Sequence, residues 1–221
     1  VVPTQLNIGC GDAPTAGWIN YDNSPAVWLA RRPSLTWLLR SVGLLDAGNL
    51  AFIDNCRRFG IGYANASHRI PHGSETVDAI YSSHMIEHLD RHEAATFLAE
   101  CRRVLKPGGV LRLSAPNLRW SVLEYVDNGR ADEFVAQLQF DLDRPRGVAG
   151  KLRQLVSGGR GHRWMYDGSS LQRLVADAGF SDVQVVPAGE TRLAAPGGLD
   201  LREREIESVY VEANRPLLTQ S

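Results

Sequence analysis

The sequence predicts a three-layer α/β domain built on a sheet of seven strands, and three observations carry that expectation. Short apolar runs end in polar, glycine-bearing loops. Segments with apolar residues three and four apart lie between them. Residues 76–116 read as one complete strand–helix–strand unit. A chain of 221 residues suits one domain with room for insertions, and residues 1–221 are taken as a single unit.

The first apolar run, Val1 to Cys10, stops at Gly9-Cys10-Gly11, and the second, Trp18 to Tyr21, ends at Asp22. The link between them is shorter than a crossover helix, so a parallel pairing requires an abbreviated loop. Residues 23–60 combine Trp28, Trp37, Leu38, Leu39, Leu44, Leu45 and Phe52 with arginines. They predict two short amphipathic helices, broken at Pro33 and Gly43. This helical insertion suits packing on the sheet edge, a lid over a pocket, or contact with a membrane surface.

From Val77, VDAIYSS predicts a strand, and residues 90–105 a helix with Ala94, Phe97, Leu98, Cys101 and Val104 on one face. Asp90 and Glu93 form a capping box at its start, and Pro107-Gly108-Gly109 turns the chain. GVLRLSAP is a strand ended by Pro116. Residues 117–165 are a variable insertion long enough to cover a site, with one helix or two before a basic, glycine-rich stretch. A helix ending at Gly179, a strand to Val186 and a last strand over Glu207 to Ala213 complete the chain.

Composition excludes several classes. Twenty-four Lys and Arg against 25 Asp and Glu leave a net charge of -1, so no global field attracts nucleic acid. Three cysteines without C-x-x-C spacing indicate neither a disulfide framework nor a cysteine zinc site. No apolar run spans a bilayer and no export leader is visible, so the expected setting is cytoplasmic, without stable membrane insertion.

Ligands of an open α/β sheet sit at the carboxyl ends of its strands. NIGCGDA lacks the third glycine of a dinucleotide fingerprint, since position 14 is Pro14, and no G-K-[ST] follows for a phosphate loop. What remains is a glycine turn after one strand and a carboxylate, Asp22, ending its neighbour. Adjacent strands lie about 4.8 Å apart, so the two loops can hold one nucleoside, the carboxylate accepting from ribose hydroxyls. His84-Met85-Ile86-Glu87-His88 is an H-x-x-E-H string of a kind that marks some zinc proteases. It follows a buried strand directly and no third ligand is evident, so no metal is assigned. His84 is expected to face a pocket, with Glu87 or His88 holding the loop by hydrogen bonds.

LNIGCGDAPTAGWINYD, RIPHGSETVDAIYSSHMIEHL, ECRRVLKPGGVLRLSAPN and LVADAGF, in that order, span nearly the whole chain. Together they resemble the class I S-adenosylmethionine-dependent methyltransferases, of the subgroup known as type 11. The resemblance implies a Rossmann-like fold, a mostly parallel sheet whose last strand is antiparallel, and S-adenosyl-L-methionine as cofactor. It implies that Gly9, Cys10 and Gly11, with Asn7 before them, cradle the amino-acid end of the cofactor. Asp22 would grip the ribose, Asn65, Ala66 and Ser67 form the adenine loop, and Ser83 and His84 lie near the methyl group. The chain departs from the family's pattern at Asn7, often acidic there, and at Ala13, often glycine.

The activity so implied is methyl transfer to a small-molecule acceptor, a hydroxyl or amine on a glycan precursor or secondary metabolite. Such transfer needs alignment and exclusion of water, and a base where the nucleophile keeps its proton late. His84, with a lesser part for His162 in GHRWMYD, is the expected catalytic pair. Trp28, Trp37, Trp120, Tyr125 and Phe140, with Arg119, Arg144, Arg146 and Arg153, are candidate acceptor contacts. Two other readings remain at this point: a methyltransferase of RNA or protein, and a methyltransferase-like binding protein without activity.

Overall fold

The structure is a computed structural model, and it describes residues 2–140 and 161–217. Its sheet runs in the order β3-β2-β1-β4-β5-β7-β6, with β1 Gln5–Ile8, β2 Ile19–Asp22, β3 Gly62–Tyr63, β4 Val77–Ser83, β5 Leu105–Pro116, β6 Ser181–Val186 and β7 Ser208–Asn214. β1 to β5 pair in parallel, and β7 lies antiparallel between β5 and β6. The predicted α/β class, strand number and antiparallel last strand all hold. The first run shortens to four residues, and Val1 lies outside the described residues.

β1 passes to β2 without a helix, as its short link requires. Two buried asparagines hold that link in place of helical hydrogen bonds. The Asn7 amide donates to the Ala13 carbonyl and to Thr15 Oγ1. Asn20 accepts from the Thr15 amide and donates to the carbonyls of Thr15 and Trp18.

Residues 23–60 form three helices where two were expected: α1 Pro25–Ala30, α2 Pro33–Ser41 and α3 Ala47–Phe59. Pro33 opens α2 as well as ending α1, since a first-turn proline has no amide to lose. Asp46 then starts α3 with a reciprocal cap through Asn49, and Gly60 closes it in the left-handed conformation. Leu29, Ile53, Cys56 and Cys10 bury together in a core separate from that of the sheet.

α4, Arg91–Val104, carries the predicted box, with Asp90 accepting from the His92 and Glu93 amides and Glu93 reaching back to the Asp90 amide. Its predicted apolar face is fully buried, beside Leu171 and Val175 of α7, Gly168–Asp177. The Pro107-Gly108-Gly109 turn is taken into β5, because the Gly108 amide donates to the Arg215 carbonyl and the Arg215 amide to that of Gly109. The insertion after β5 begins with two helices, α5 Leu118–Asn128 and α6 Ala131–Gln137.

Over β1 and β4, the opposite face is covered by an extended strap, residues 187–207, whose Leu193 and Leu199 pack on Trp18, Ala79 and Tyr81. Arg112 of β5 and Glu212 of β7, cross-strand neighbours, pair at 2.7 Å with no exposure. Arg112 also donates to the carbonyls of Glu190 and Leu201, and Glu212 accepts from Thr191 Oγ1 and the Arg192 amide. Such a pair is tolerable in a dry interior only because its remaining donors and acceptors are satisfied.

Candidate functional site

The strand order reverses between β1 and β4, and the loops leaving their carboxyl ends form the crevice where this architecture binds ligands. Gly9 and Gly11 both hold positive φ, 71° and 47°, and for different reasons. A Cβ on Gly9 would stand 2.5 Å from Met85 Cγ, so this glycine lets the two loops close on each other. A Cβ on Gly11 would meet nothing within 4 Å, so here the backbone faces open space. The Gly9 and Cys10 amides both donate to the Tyr21 carbonyl, and the Cys10 side chain turns into the core under α1 and α3.

Asp22 stands next to this turn. Its carboxylate accepts from the Gly11 amide at 3.0 Å and the Ser24 amide at 2.7 Å. Burial pushes its carboxyl above the usual range, and the two amides oppose that shift. Each oxygen keeps acceptor capacity for a further donor. The Ala64 amide donates to the Asp22 carbonyl and so brings the third-strand loop alongside. In that loop Ser67 Oγ donates to Asn65 Oδ1, and Ala66 is buried in the main core. A broad hollow of about 540 Å³ opens beyond it, lined by Val27, Trp28, Arg31, Arg32 and Tyr63, with the Arg32 guanidinium 3.6 Å from the Trp28 ring centre.

On the other side of the crevice, His84 follows β4 with φ 47°, a left-handed conformation costly for any residue with a Cβ. Arg204 Nη1 lies 3.3 Å from its Nδ1 and can only donate, so Nδ1 accepts and Nε2 donates to Ser208 Oγ at 2.9 Å. Burial, then the charge of Arg204, lowers the His84 pKa to about 3, and the ring is neutral at pH 7. Burial, then His88, lowers that of His162 to about 4. His84 and His162 both line a small cavity of about 70 Å³ with Trp120, Ser121, Gln137, Gln139 and Glu207.

The structure therefore brings His84 and His162, 78 positions apart in the sequence, to the lining of one cavity. It also places Asn7 as a strut for the first loop. Of the aromatic candidates Trp120 reaches the cavity and Trp28 the hollow, while Tyr125 stacks on Phe134 and Trp37 is exposed. Arg144, Arg146 and Arg153 lie outside the described residues. Arg204 had no signal in the sequence, since the strap carries no recognisable pattern, and Ser208 lies in the predicted last strand with nothing to mark its partner. Of the two residues expected to hold this loop by hydrogen bonds, His88 reaches the Gly161 carbonyl, whereas Glu87 is fully buried, its two carboxylate oxygens have no hydrogen-bond partner, and burial raises its pKa to about 8.

A family described as a methyltransferase domain matches residues 46–113. Among solved structures, the complex of the Haloferax volcanii Trm112 methyltransferase activator with a methyltransferase matches with a TM-score of 0.54 at 12% identity. That match covers 100% of this chain and 85% of the other. An S-adenosylmethionine-dependent methyltransferase from Methanosarcina mazei matches with a TM-score of 0.52 at 16% identity, covering 98% and 94%. The fold is that of a class I methyltransferase. In a class I methyltransferase frame, the Gly11 and Asp22 loops lie at the strand ends on one side of the switch point and the His84 cavity on the other. No curated protein sequence matches the chain significantly. Among the described residues, no helix is long and apolar enough to cross a membrane.

Proposed function

We propose that the chain transfers a methyl group from S-adenosyl-L-methionine to a hydroxyl or amine of a small acceptor. The observation that carries this reading is the open backbone at Gly11 beside the half-buried Asp22 carboxylate, next to a separate polar cavity. The residues present fit the cofactor. Asp22 retains acceptor capacity for the ribose hydroxyls, and the Gly9-Cys10-Gly11 backbone lies on that side with Asn7 setting its course. Asn65, Ala66 and Ser67 follow Ala64, whose amide donates to the Asp22 main-chain carbonyl. Bound there, the cofactor supplies an electrophilic sulfonium methyl group.

Ser83 and His84 end β4 between the two halves, where an acceptor in the cavity meets the methyl group. A neutral imidazole at His162 can take a hydrogen bond or a proton from the acceptor, whereas His84, whose Nδ1 lone pair meets Arg204 and whose Nε2 donates to Ser208, does so once the Arg204 contact opens. Of the two, His84 is the weaker base, because its Nδ1 already accepts from Arg204. Trp120 adds an aromatic wall.

The test is calorimetric titration with S-adenosylhomocysteine. Folded protein is expected to bind at micromolar concentration, and Asp22→Ala to weaken binding roughly 100-fold by removing two charge-assisted bonds. Folded protein that does not bind the ligand overturns the reading. Residues 23–60 act in this scheme as a lid at the hollow beside Asp22. The same ligand should slow amide exchange in α1 and α2 as well as in the Gly11 loop, and protection limited to the loop removes the lid.

A further inference from the structure

We propose that Glu87, His88 and His162 bind a divalent transition-metal ion at the inner wall of the acceptor cavity. Each offers one donor atom, and the three atoms lie within 4.8 Å of one another. Ligands of a single zinc ion, bonded at about 2.0–2.2 Å, stand about 3–3.5 Å apart, so small side-chain shifts close the site. The H-x-x-E-H string supplies two of the three residues, and the third comes from a loop distant in sequence.

The carboxylate is the strongest indication. Glu87 has no exposure, and neither of its oxygens has a hydrogen-bond partner. Native interiors rarely leave both lone-pair sites of an acid unused, since an uncompensated buried polar group costs several kcal/mol. His84 Nδ1 stands 3.5 Å from it and His162 Nε2 4.0 Å, too far for either to serve as a bond.

His88 is oriented as a ligand is, and the buried Nδ1 of His162 has no hydrogen-bond partner. His88 Nδ1 lies 3.3 Å from the Gly161 carbonyl, which can only accept, so Nδ1 carries the proton and Nε2 the lone pair. A backbone carbonyl on one ring nitrogen is how proteins fix the tautomer of a metal-binding histidine. The rings of His88 and His162 meet edge to face at 5.0 Å. The backbone holds the two segments in register, because the amides of Arg163 and Trp164 both donate to the Glu87 carbonyl. His162 also lines the cavity, so a coordination position opens toward the acceptor.

The donor set selects the metal. Two imidazoles and one carboxylate suit zinc, cobalt or iron(II), and offer magnesium or calcium too few oxygens. Zinc binding stands without any assumption about the reaction. Its use rests on the methyl-transfer reading: with the ion bound His162 would be a ligand and no longer a base, and a hydroxyl reaching the ion through the cavity would have a lowered pKa and lose its proton to solvent before attack.

The test uses the full chain without an affinity tag, stripped by chelator and titrated with Zn²⁺ by calorimetry. One ion per chain is expected, unaffected by millimolar Mg²⁺. Glu87→Gln and His88→Gln should each lower affinity beyond the 10–100-fold that a loss in the surrounding shell produces, while His68→Gln, at an exposed site, leaves it unchanged. Absence of binding to folded protein, displacement by Mg²⁺, or binding indifferent to both substitutions overturns the proposal. If the variants fail to fold, the visible spectrum of the Co²⁺-loaded unsubstituted chain decides. Intense bands of a four- or five-coordinate ion support the site, and the weak spectrum of the hydrated ion overturns it. Titrating S-adenosylhomocysteine into the same stripped protein separates the two readings, since loss of either ligand leaves the other standing.

Discussion

In the loop after β1, the side chains of Asn7, Thr15, Asn20 and Asp22 all have hydrogen-bond partners. In the loop after β4, a few ångströms away at the Gly9–Met85 contact, His84 is held left-handed and both oxygens of Glu87 are buried without a partner. The first loop is a finished frame: its buried polar side chains Asn7, Thr15 and Asn20 are satisfied by its own residues, and Asp22 keeps spare capacity beside the open backbone of Gly11. The second holds its strain and its orphaned acid through surrounding structure, a condition that folded proteins retain where something binds or reacts. Preorganisation for a ligand thus takes two forms in one crevice.

Substitutions at the two glycines give the largest expected break of this contrast. Gly9→Ala should cost about 3 kcal/mol in urea unfolding, from left-handed strain and the overlap with Met85. Met85→Ala in the same chain should return the overlap part, so the two changes are less than additive. Gly11→Ala should cost only about 1 kcal/mol yet weaken S-adenosylhomocysteine binding, since nothing of the protein fills the space its Cβ enters.

His84 sharpens the other half. His84→Ala and His84→Gly remove the same imidazole contacts, so their difference isolates the backbone. At φ 47° the glycine variant should be the more stable by about 1 kcal/mol, against the usual order in regular structure. Equal stabilities by thermal melting would mean that the loop relaxes and stores no strain.

The smallest effect concerns the frame around the loop after β3. Glu100 accepts from Arg103 and from the Ile70 amide, and these hold its carboxyl below the ordinary 4.5. A depressed folded pKa means that this stabilisation is complete above that value and lost as pH falls through the folded one. Glu100→Gln should therefore lower stability by less than about 1 kcal/mol at pH 7 and flatten the acid limb between pH 5 and 3.

Much of the frame could be read from local pattern. The burial of Phe97, Leu98 and Cys101 follows from spacing, the cap at Asp90 from two residues three apart, and the missing helix between β1 and β2 from a short link. The third helix of residues 23–60 escaped because its start depends on an Asp46–Asn49 exchange, a weaker signal than proline or glycine. The proximity of Gly11 to Asp22 was legible because adjacent strand ends must lie close. That of His162 to Glu87 was not, because it depends on where a long insertion returns, and no periodicity encodes a contact between distant segments.

The Arg112–Glu212 pair has a consequence beyond the interior it occupies. Arg112 holds the Leu201 carbonyl, and three residues along the strap Arg204 meets His84, while Glu203 is fastened by Tyr81 and Tyr210. The strap is thus a lever with its fulcrum in the sheet, and the charge presented to the cavity is set from the far side of β4. A substitution that removes this fulcrum therefore acts on the Arg204–His84 contact through the strap, without touching the cavity itself.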